Sequence, residues 1–285
     1  MFIILGATGH VGSEVVNALA GAGQPVIAVT HDPHHPTPWR SPGVEVAIAD
    51  LNDPAALRIV LRRGRRAFLL NPPAAVTGDT DRIERQTVAN LLEAVRGSGL
   101  EKVVAESTGG ARQGERLGDL NVLWELEQGL ERQPIPSAIN RAGFYMSNWA
   151  AQLDDVRRTG QLMSMFPADL RLPMVAPRDL GEAAARRLLS GLDDTGIQYV
   201  EGPTRYSADD VAVALEKVLD RPVRVVVTPR EQWEAAYRRQ GFSPAAAASY
   251  ARMTGVAMDA LDLPDESIRG QVTLEAYFRG LVGRG

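Results

Sequence analysis

Between residues 6 and 12 the chain reads Gly6-Ala7-Thr8-Gly9-His10-Val11-Gly12. The segment Phe2–Leu5 before it is a short apolar run with buried-strand character. Val11, Val15, Val16 and Leu19 after it recur at helical spacing. Three glycines at a strand-to-helix corner permit a tight turn and let backbone N–H groups approach a diphosphate. They also set the positive end of a helix against that anion. A glycine triplet alone also suits a plain packing turn, but this one has the strand–turn–helix context that dinucleotide binding requires.

The alternation continues downstream. Apolar runs at 25–29, 44–49, 67–70, 102–105 and 136–140 read as strands. Helical patterns lie between them, the first after 1–21 opening at Asp53-Pro54, an N-cap followed by proline at the first helical position. Strands alternating with helices imply right-handed βαβ units and a parallel sheet covered on both faces. The expected class is α/β, a Rossmann-type doubly wound parallel sheet with a smaller, mostly helical C-terminal substrate domain. Residues 1–150 are assigned to the dinucleotide-binding domain and 151–285 to the substrate domain, with 174–192 packing back on the first. In the second half, Leu162–Pro173 has scattered apolar residues with Pro167 and Pro173. Ser207-Ala208-Asp209-Asp210 reads as a capping-box start, and Thr228-Pro229-Arg230-Glu231 as a repeat of it.

Composition removes whole classes of chemistry. The 285 residues include no cysteine, so disulfides, thiolate nucleophiles and cysteine-held metals are out. The four histidines, His10, His31, His34 and His35, all precede residue 36, which leaves a Ser–His–Asp hydrolase without a late histidine. His34 and His35 read as solvated loop residues beside prolines, and no metal site is expected. A net charge of −4 gives no basic footprint for nucleic acid. No apolar run approaches the ~20 residues of a membrane span, and the N-terminus lacks the pattern of a signal peptide. The expected location is the cytoplasm. Oligomeric state is left open, a homodimer among the options.

Cofactor choice is read at the end of the second strand, Val29-Thr30-His31-Asp32. A cation there accommodates a ribose 2′-phosphate, and an acid bonds a 2′-hydroxyl. His31 can supply the cation, so the pattern leans toward NADP(H), with NAD(H) still open. Asp50 and Leu51 end the third strand and are placed at the adenine edge. Asn71 and Pro72 end the fourth and line the adenosine side.

These segments, followed by Ser107-Thr108-Gly109-Gly110-Ala111, Arg141-Ala142-Gly143-Phe144-Tyr145-Met146-Ser147-Asn148 and Asp179-Leu180-Gly181-Glu182, resemble the NmrA-like branch of the atypical short-chain dehydrogenase/reductases, in order and over nearly the whole chain. The resemblance implies a Rossmann domain with a small substrate domain. It also implies either NAD(P)H-dependent reduction of quinones, azo dyes and aromatic compounds, or NADP sensing without catalysis. His31 stands where the family usually has arginine, and Ala142 where proline is common.

The short-chain dehydrogenase reaction normally pairs tyrosine with a lysine four residues on, the tyrosine protonating the carbonyl. Here the residues four beyond the six tyrosines are Trp149, Pro203, Asp210, Gly241, Thr254 and Leu281, and the chain has two lysines, Lys102 and Lys217. Tyrosine–lysine catalysis is therefore rejected. The remaining catalytic candidates are Ser107, Thr108, Asn121 and Tyr145. Gly6, Thr8, Gly9, His10, Val11, Gly12, His31, Asp50, Leu51, Asn71, Pro72, Arg141 and Gly143 are expected to hold the cofactor. Phe144, Tyr145, Asn148 and Trp149 are expected to form a wall for a flat aromatic ligand, with domain-interface core as the alternative for them. Hydride transfer to a quinone needs little acid catalysis, so a small quinone or polycyclic aromatic substrate is favoured, in the tailoring of an aromatic natural product. The alternatives are a non-catalytic NADP(H)-binding regulator and an NADPH-dependent carbon–carbon bond-forming enzyme.

Overall fold

The structure, a computed structural model, describes residues 1–32, 39, 42–261 and 263–283; His34 and His35 lie outside them. From the N-terminus run β1 (Phe2–Ile4), α1 (His10–Gly21), β2 (Val26–Thr30), β3 (Val44–Ile48), α2 (Pro54–Leu61), β4 (Arg66–Leu69), α3 (Thr80–Val95), β5 (Lys102–Thr108), α4 (Asp119–Glu131) and β6 (Ser137–Ala142). Local chemistry sets these limits. Asp53 caps α2 by accepting from the Ala55 and Ala56 amides, with Pro54 at the first helical position. Asp79 caps α3 by accepting from Arg82 N–H.

The rest of the chain forms β7 (Phe144–Tyr145), α5 (Met146–Ala150), α6 (Leu153–Thr159), β8 (Gln161–Ser164), β9 (Met174–Val175), α7 (Pro177–Leu189), β10 (Gly196–Glu201), α8 (Ala208–Leu219), β11 (Arg224–Val227), α9 (Trp233–Arg239), α10 (Pro244–Asp259), β12 (Ile268–Arg269) and α11 (Leu274–Val282). Eight strands make one sheet in the order β12-β10-β6-β5-β4-β1-β2-β3, and every pairing in it is parallel. The order reverses between β1 and β4, and the crevice outside the carboxyl ends at such a switch point is where ligands bind in open α/β sheets.

Alternate side chains of each strand face opposite layers. Ile3, Ile27, Ala67, Val103 and Ala105 pack under α2, α3 and α4. Ile4, Ala28, Phe68 and Val104 pack under α1 and α7, whose Val15, Val16, Leu19, Ala184 and Leu188 join the same cluster. A third cluster joins α5, α8 and α11 through Met146, Trp149, Val211, Leu215 and Phe278. The main sheet does not stop near residue 150, because it takes β10 and β12 from the second half.

The second half holds a strand pair that the sequence reading did not assign and one reading that changes. Within 161–173 lies β8, which pairs in parallel with β11, Leu162 opposite Val225. The pairing joins segments about sixty residues apart, which a local pattern does not reveal. Ser207 forms the expected capping box with Asp210, whereas Thr228 caps nothing. Its N–H donates to Ser164 O, closing the β8–β11 ladder, and a single turn of 3₁₀ helix follows at 230–232.

Candidate active site

At the first turn, Gly6 sits at φ +62°, where a side chain is strained. A Cβ on Gly12 would lie 2.1 Å from Gly6 O, so α1 and β1 close on each other only over glycine. Gly9 differs from both. Its backbone is ordinary extended chain, φ −83° and ψ 174°, and an added Cβ would meet only Gly6 O, at 3.3 Å. Gly9 caps α1 with no side chain, and the first bond of the helix is Ser13 N–H to Gly9 O, 3.1 Å. The amides of His10, Val11 and Gly12 therefore have no backbone acceptor among the described residues. Val11 is buried in the core, so it offers the site its N–H alone, while Thr8 is half-buried and His10 exposed.

His31 is exposed at the end of β2, after Thr30, whose hydroxyl accepts from Asp32 N–H at 3.2 Å. Asp50 is exposed and accepts from the Asn52 amide and side chain, 2.8 and 2.9 Å. Leu51 packs on the core below it, and its carbonyl accepts from Asn90 at 2.9 Å. Asn71 donates to Glu84 O, and its own Oδ1 is buried without a partner; Pro72 beside it is half-buried.

Several expected site residues turn out to be committed elsewhere. Ser107 faces the helical layer and donates to Glu127 Oε1, 2.5 Å. Arg141, in register with it on β6, grips the same carboxylate at 2.9 and 2.7 Å and donates to the Tyr199 hydroxyl at 3.0 Å. Its guanidinium pKa is raised, first by the Glu127 hydrogen bond. Asn121 is fully buried, accepting from Leu117 N–H at 2.6 Å and reaching Asp81 at 3.4 Å. A Cβ on Gly143 would stand 1.7 Å from Pro173 O, so this glycine admits the Pro173 backbone. Phe144 and Trp149, rings 5.8 Å apart, belong to the third core cluster, and Asn148 is exposed. Side-chain alternation is the physical reason: the odd residues of β5 face α4, and Glu106 and Thr108 take the other side. Of the first candidates, Thr108 and Tyr145 remain beside the cleft. Thr108 ends β5 half-buried, its hydroxyl donating to Gly109 O at 3.3 Å.

The carboxyl ends of β4, β5 and β6 carry chemistry that the sequence reading missed. Buried side-chain atoms without a partner gather there: Asn71 Oδ1, Thr80 Oγ1, Glu84 Oε2, both carboxyl oxygens of Glu106, and Asn140 Nδ2. Native proteins leave few such atoms, so a concentration of them is a signature of a ligand site. Glu106 is 3% exposed, and burial raises its pKa well above the usual range, with Asn140, opposite it on β6, acting the other way. Glu84 is 1% exposed, and burial first, then Asp119 and Asp81, push it up to about 7 against the Ala74 amide, which donates to Oε1 at 2.8 Å. Asp119 is raised by burial. The phenols of Tyr145 and Tyr250 are held neutral by burial first, then by Glu106 and Asp119 for Tyr145 and by Asp119, Glu84 and Tyr237 for Tyr250.

Helix α10 roofs this end of the sheet. Ser243 N–H donates to Val76 O at 2.8 Å and its hydroxyl to Gly78 O at 2.6 Å. The Ser249 hydroxyl donates to Arg116 O and accepts from Gly118 N–H, both at 3.2 Å. Tyr237, Phe242 and Tyr250 stack as a triad with centroids 5.1–5.7 Å apart. One signal for Glu84 was present: it lies on the buried stripe of α3 with Val88, Leu91 and Val95. A pattern search that counts only apolar residues passes over it.

Bare amides, an open glycine and orphaned polar atoms together fit a dinucleotide laid across the strand ends. Among the described residues no cluster of histidine, aspartate and glutamate suited to a metal is present. The chain is 26% identical over 241 residues, 85% of it and 82% of the relative, to a NAD(P)H azoreductase of Xenophilus azovorans. It is 31% identical over 227 residues, 79% of it and 76% of the relative, to a (4-alkanoyl-5-oxo-2,5-dihydrofuran-3-yl)methyl phosphate reductase of Streptomyces griseus. Its fold matches the NADPH complex of an NADPH-dependent quinone oxidoreductase from Escherichia coli with a TM-score of 0.82, at 21% identity, over 99% of this chain and all of that one. The NmrA-like family pattern matches residues 1–243, and with these relatives it places the chain in the NmrA-like family.

Proposed function

We propose that the protein is an NADP(H)-dependent oxidoreductase that reduces quinones or other conjugated aromatic acceptors. The observation that carries this reading is the uncapped start of α1, with three bare amides beside Gly9, in a chain whose relatives are named as NAD(P)H-dependent reductases. The cofactor, when bound, supplies the hydride. Gly6, Gly9 and the amides of His10–Gly12 hold its diphosphate, His31 and Asp50 lie toward the adenosine end, and Asn71 and Pro72 line the middle.

Lysine does not take part. Lys102 is fully buried at the amino end of β5, donating to Ser190 Oγ and Gly191 O at 2.9 Å, and Lys217 on α8 pairs with Glu275. Acceptors that become delocalised anions after hydride addition suit such a site, because positioning supplies most of the rate. The aromatic triad of Tyr237, Phe242 and Tyr250, the last on α10, offers an apolar wall of tilted rings. NADPH oxidation over a panel of quinones, azo dyes and conjugated lactones tests the proposal. Turnover with one of these classes is expected. Tight NADPH binding without turnover would leave a cofactor-binding regulator, and no binding would overturn the reading altogether.

A further inference from the structure

We propose that the carboxyl of Glu84 is the acid that protonates the reduced acceptor; this rests on the reductase reading above. Glu84 projects from the first turns of α3 into the junction of the β4–α3 loop, the start of α4 and helix α10. One oxygen is fixed by the Ala74 amide at 2.8 Å, and the other is buried with no partner. The groups around it are Asp119 from α4, Asp81 from its own helix, the Tyr250 phenol from α10 and the Ala74 amide from the loop. Among the described residues no arginine or lysine pairs with it; Arg85, next on its own helix, is taken by Asp81 and Glu125, and Arg116 by Asp79. A carboxyl so enclosed keeps its proton near neutrality, and its free oxygen has an O–H with no bond to make inside the protein.

The chemistry balances. Reduced nicotinamide, when bound, would supply the acceptor with a hydride (one proton and two electrons). The acceptor becomes an anion. The Glu84 O–H bond breaks, its proton forms the new bond on that anion, and Glu84 is left as a carboxylate that regains a proton from water when product leaves. The Tyr250 hydroxyl, held neutral beside it, orients the acceptor.

Glu84→Gln is the test, because an amide keeps the Ala74 contact and removes the proton. NADPH affinity, read by titration, is expected to stay unchanged. The rate constant kcat is expected to fall about a hundredfold, with loss of the pH-profile limb near about 7. Infrared titration without substrate gives a second readout: a protonated-carboxyl band that fades near neutral pH in the wild type and is missing in the variant. An unchanged pH limb, an unchanged band, or equal losses in kcat and NADPH affinity would overturn the assignment. Wild-type protein that turns over no acceptor sinks the reductase reading itself, whereas a wild type that turns over beside an equally active variant sinks only Glu84.

Discussion

A Cβ at Gly12 would stand 2.1 Å from Gly6 O, and one at Gly9 would stand 3.3 Å from the same atom in open backbone geometry. The two glycines therefore answer to different demands. Gly12→Ala should cost about 1–3 kcal/mol of stability or more, the usual penalty of forced contact. Gly9→Val makes one tight contact and a poorer N-cap, so it should cost about 1–2 kcal/mol, less than Gly12→Val, yet abolish measurable NADPH binding in the folded protein. A Gly9→Val protein that binds normally would remove the diphosphate from this turn. At the other end of the cofactor, His31→Arg should raise the preference for NADPH over NADH about tenfold, the worth of one charge-assisted hydrogen bond. An unchanged ratio of dissociation constants would mean that His31 serves only solvent. Glu84 carries a stability signature as well. Its pKa rises from 4.5 unfolded to about 7 folded, so the folded chain holds its proton more tightly. Folding is unpenalised below about pH 4.5, and stability is lost as pH climbs through 7. Glu84→Gln should thus stabilise the protein at pH 8 by up to about 3 kcal/mol relative to its effect at pH 4. Melting curves at the two pH values decide it, and equal shifts would contradict a buried acid.

Strand β5 and its neighbours show what a linear pattern can and cannot disclose. The apolar run from Val103 to Ala105 identifies a buried parallel strand, and the glycine turn identifies the cofactor end, because both are local. Which of Glu106, Ser107 and Thr108 meets the ligand depends on where the pleat begins relative to α4, and that is decided by packing. The same holds for Arg141. On sequence it ends a strand at the cofactor side, but in the fold Glu127, fourteen residues before it, and Tyr199, far after it, take its guanidinium. Asn121 and Trp149 were polar or aromatic residues near a site in sequence and are core residues in space. The carboxyl cluster stayed hidden because Glu84 and Asp119 come from different helices, and its Tyr250 neighbour comes from α10 more than a hundred residues later. The Arg141 assignment makes its own prediction at this scale. Arg141→Met strands a buried carboxylate and should cost about 3–5 kcal/mol, while NADPH affinity of the folded protein stays unchanged. A large loss of affinity in a stably folded Arg141→Met protein would return Arg141 to the cofactor site.

Across the whole molecule, the dinucleotide half is completed by chain from the other half. Helix α7 lies against α1 so closely that a Cβ on Gly181 would stand 2.4 Å from Glu14 Cβ, and it covers Ile4, Phe68 and Val104 from one side. Arg66 bonds the Leu188 and Ser190 carbonyls at the end of α7, and Arg187 donates to the carbonyls of Ile139 and Gly196, tying α7 to β6 and β10. Lys102 donates to Ser190 Oγ and Gly191 O and pairs with Asp194 at 3.6 Å, all beyond residue 150. Asp179 at the start of α7 accepts from the Gln271 and Val272 amides, which fastens the stretch after β12 to the same face. A fragment ending at residue 150 would keep the glycine turn and every expected phosphate contact. It would also expose one apolar face of the sheet, Ile4, Phe68 and Val104 included, and that lost burial is worth several kcal/mol. The fragment 1–150 should therefore show no cooperative thermal transition and no NADPH binding, while the full chain shows both. Circular dichroism melting and a cofactor titration on the two proteins are enough to check this. A fragment that melts cooperatively and binds NADPH would mean that the first half is a self-sufficient domain and that α7 is only an ornament on it.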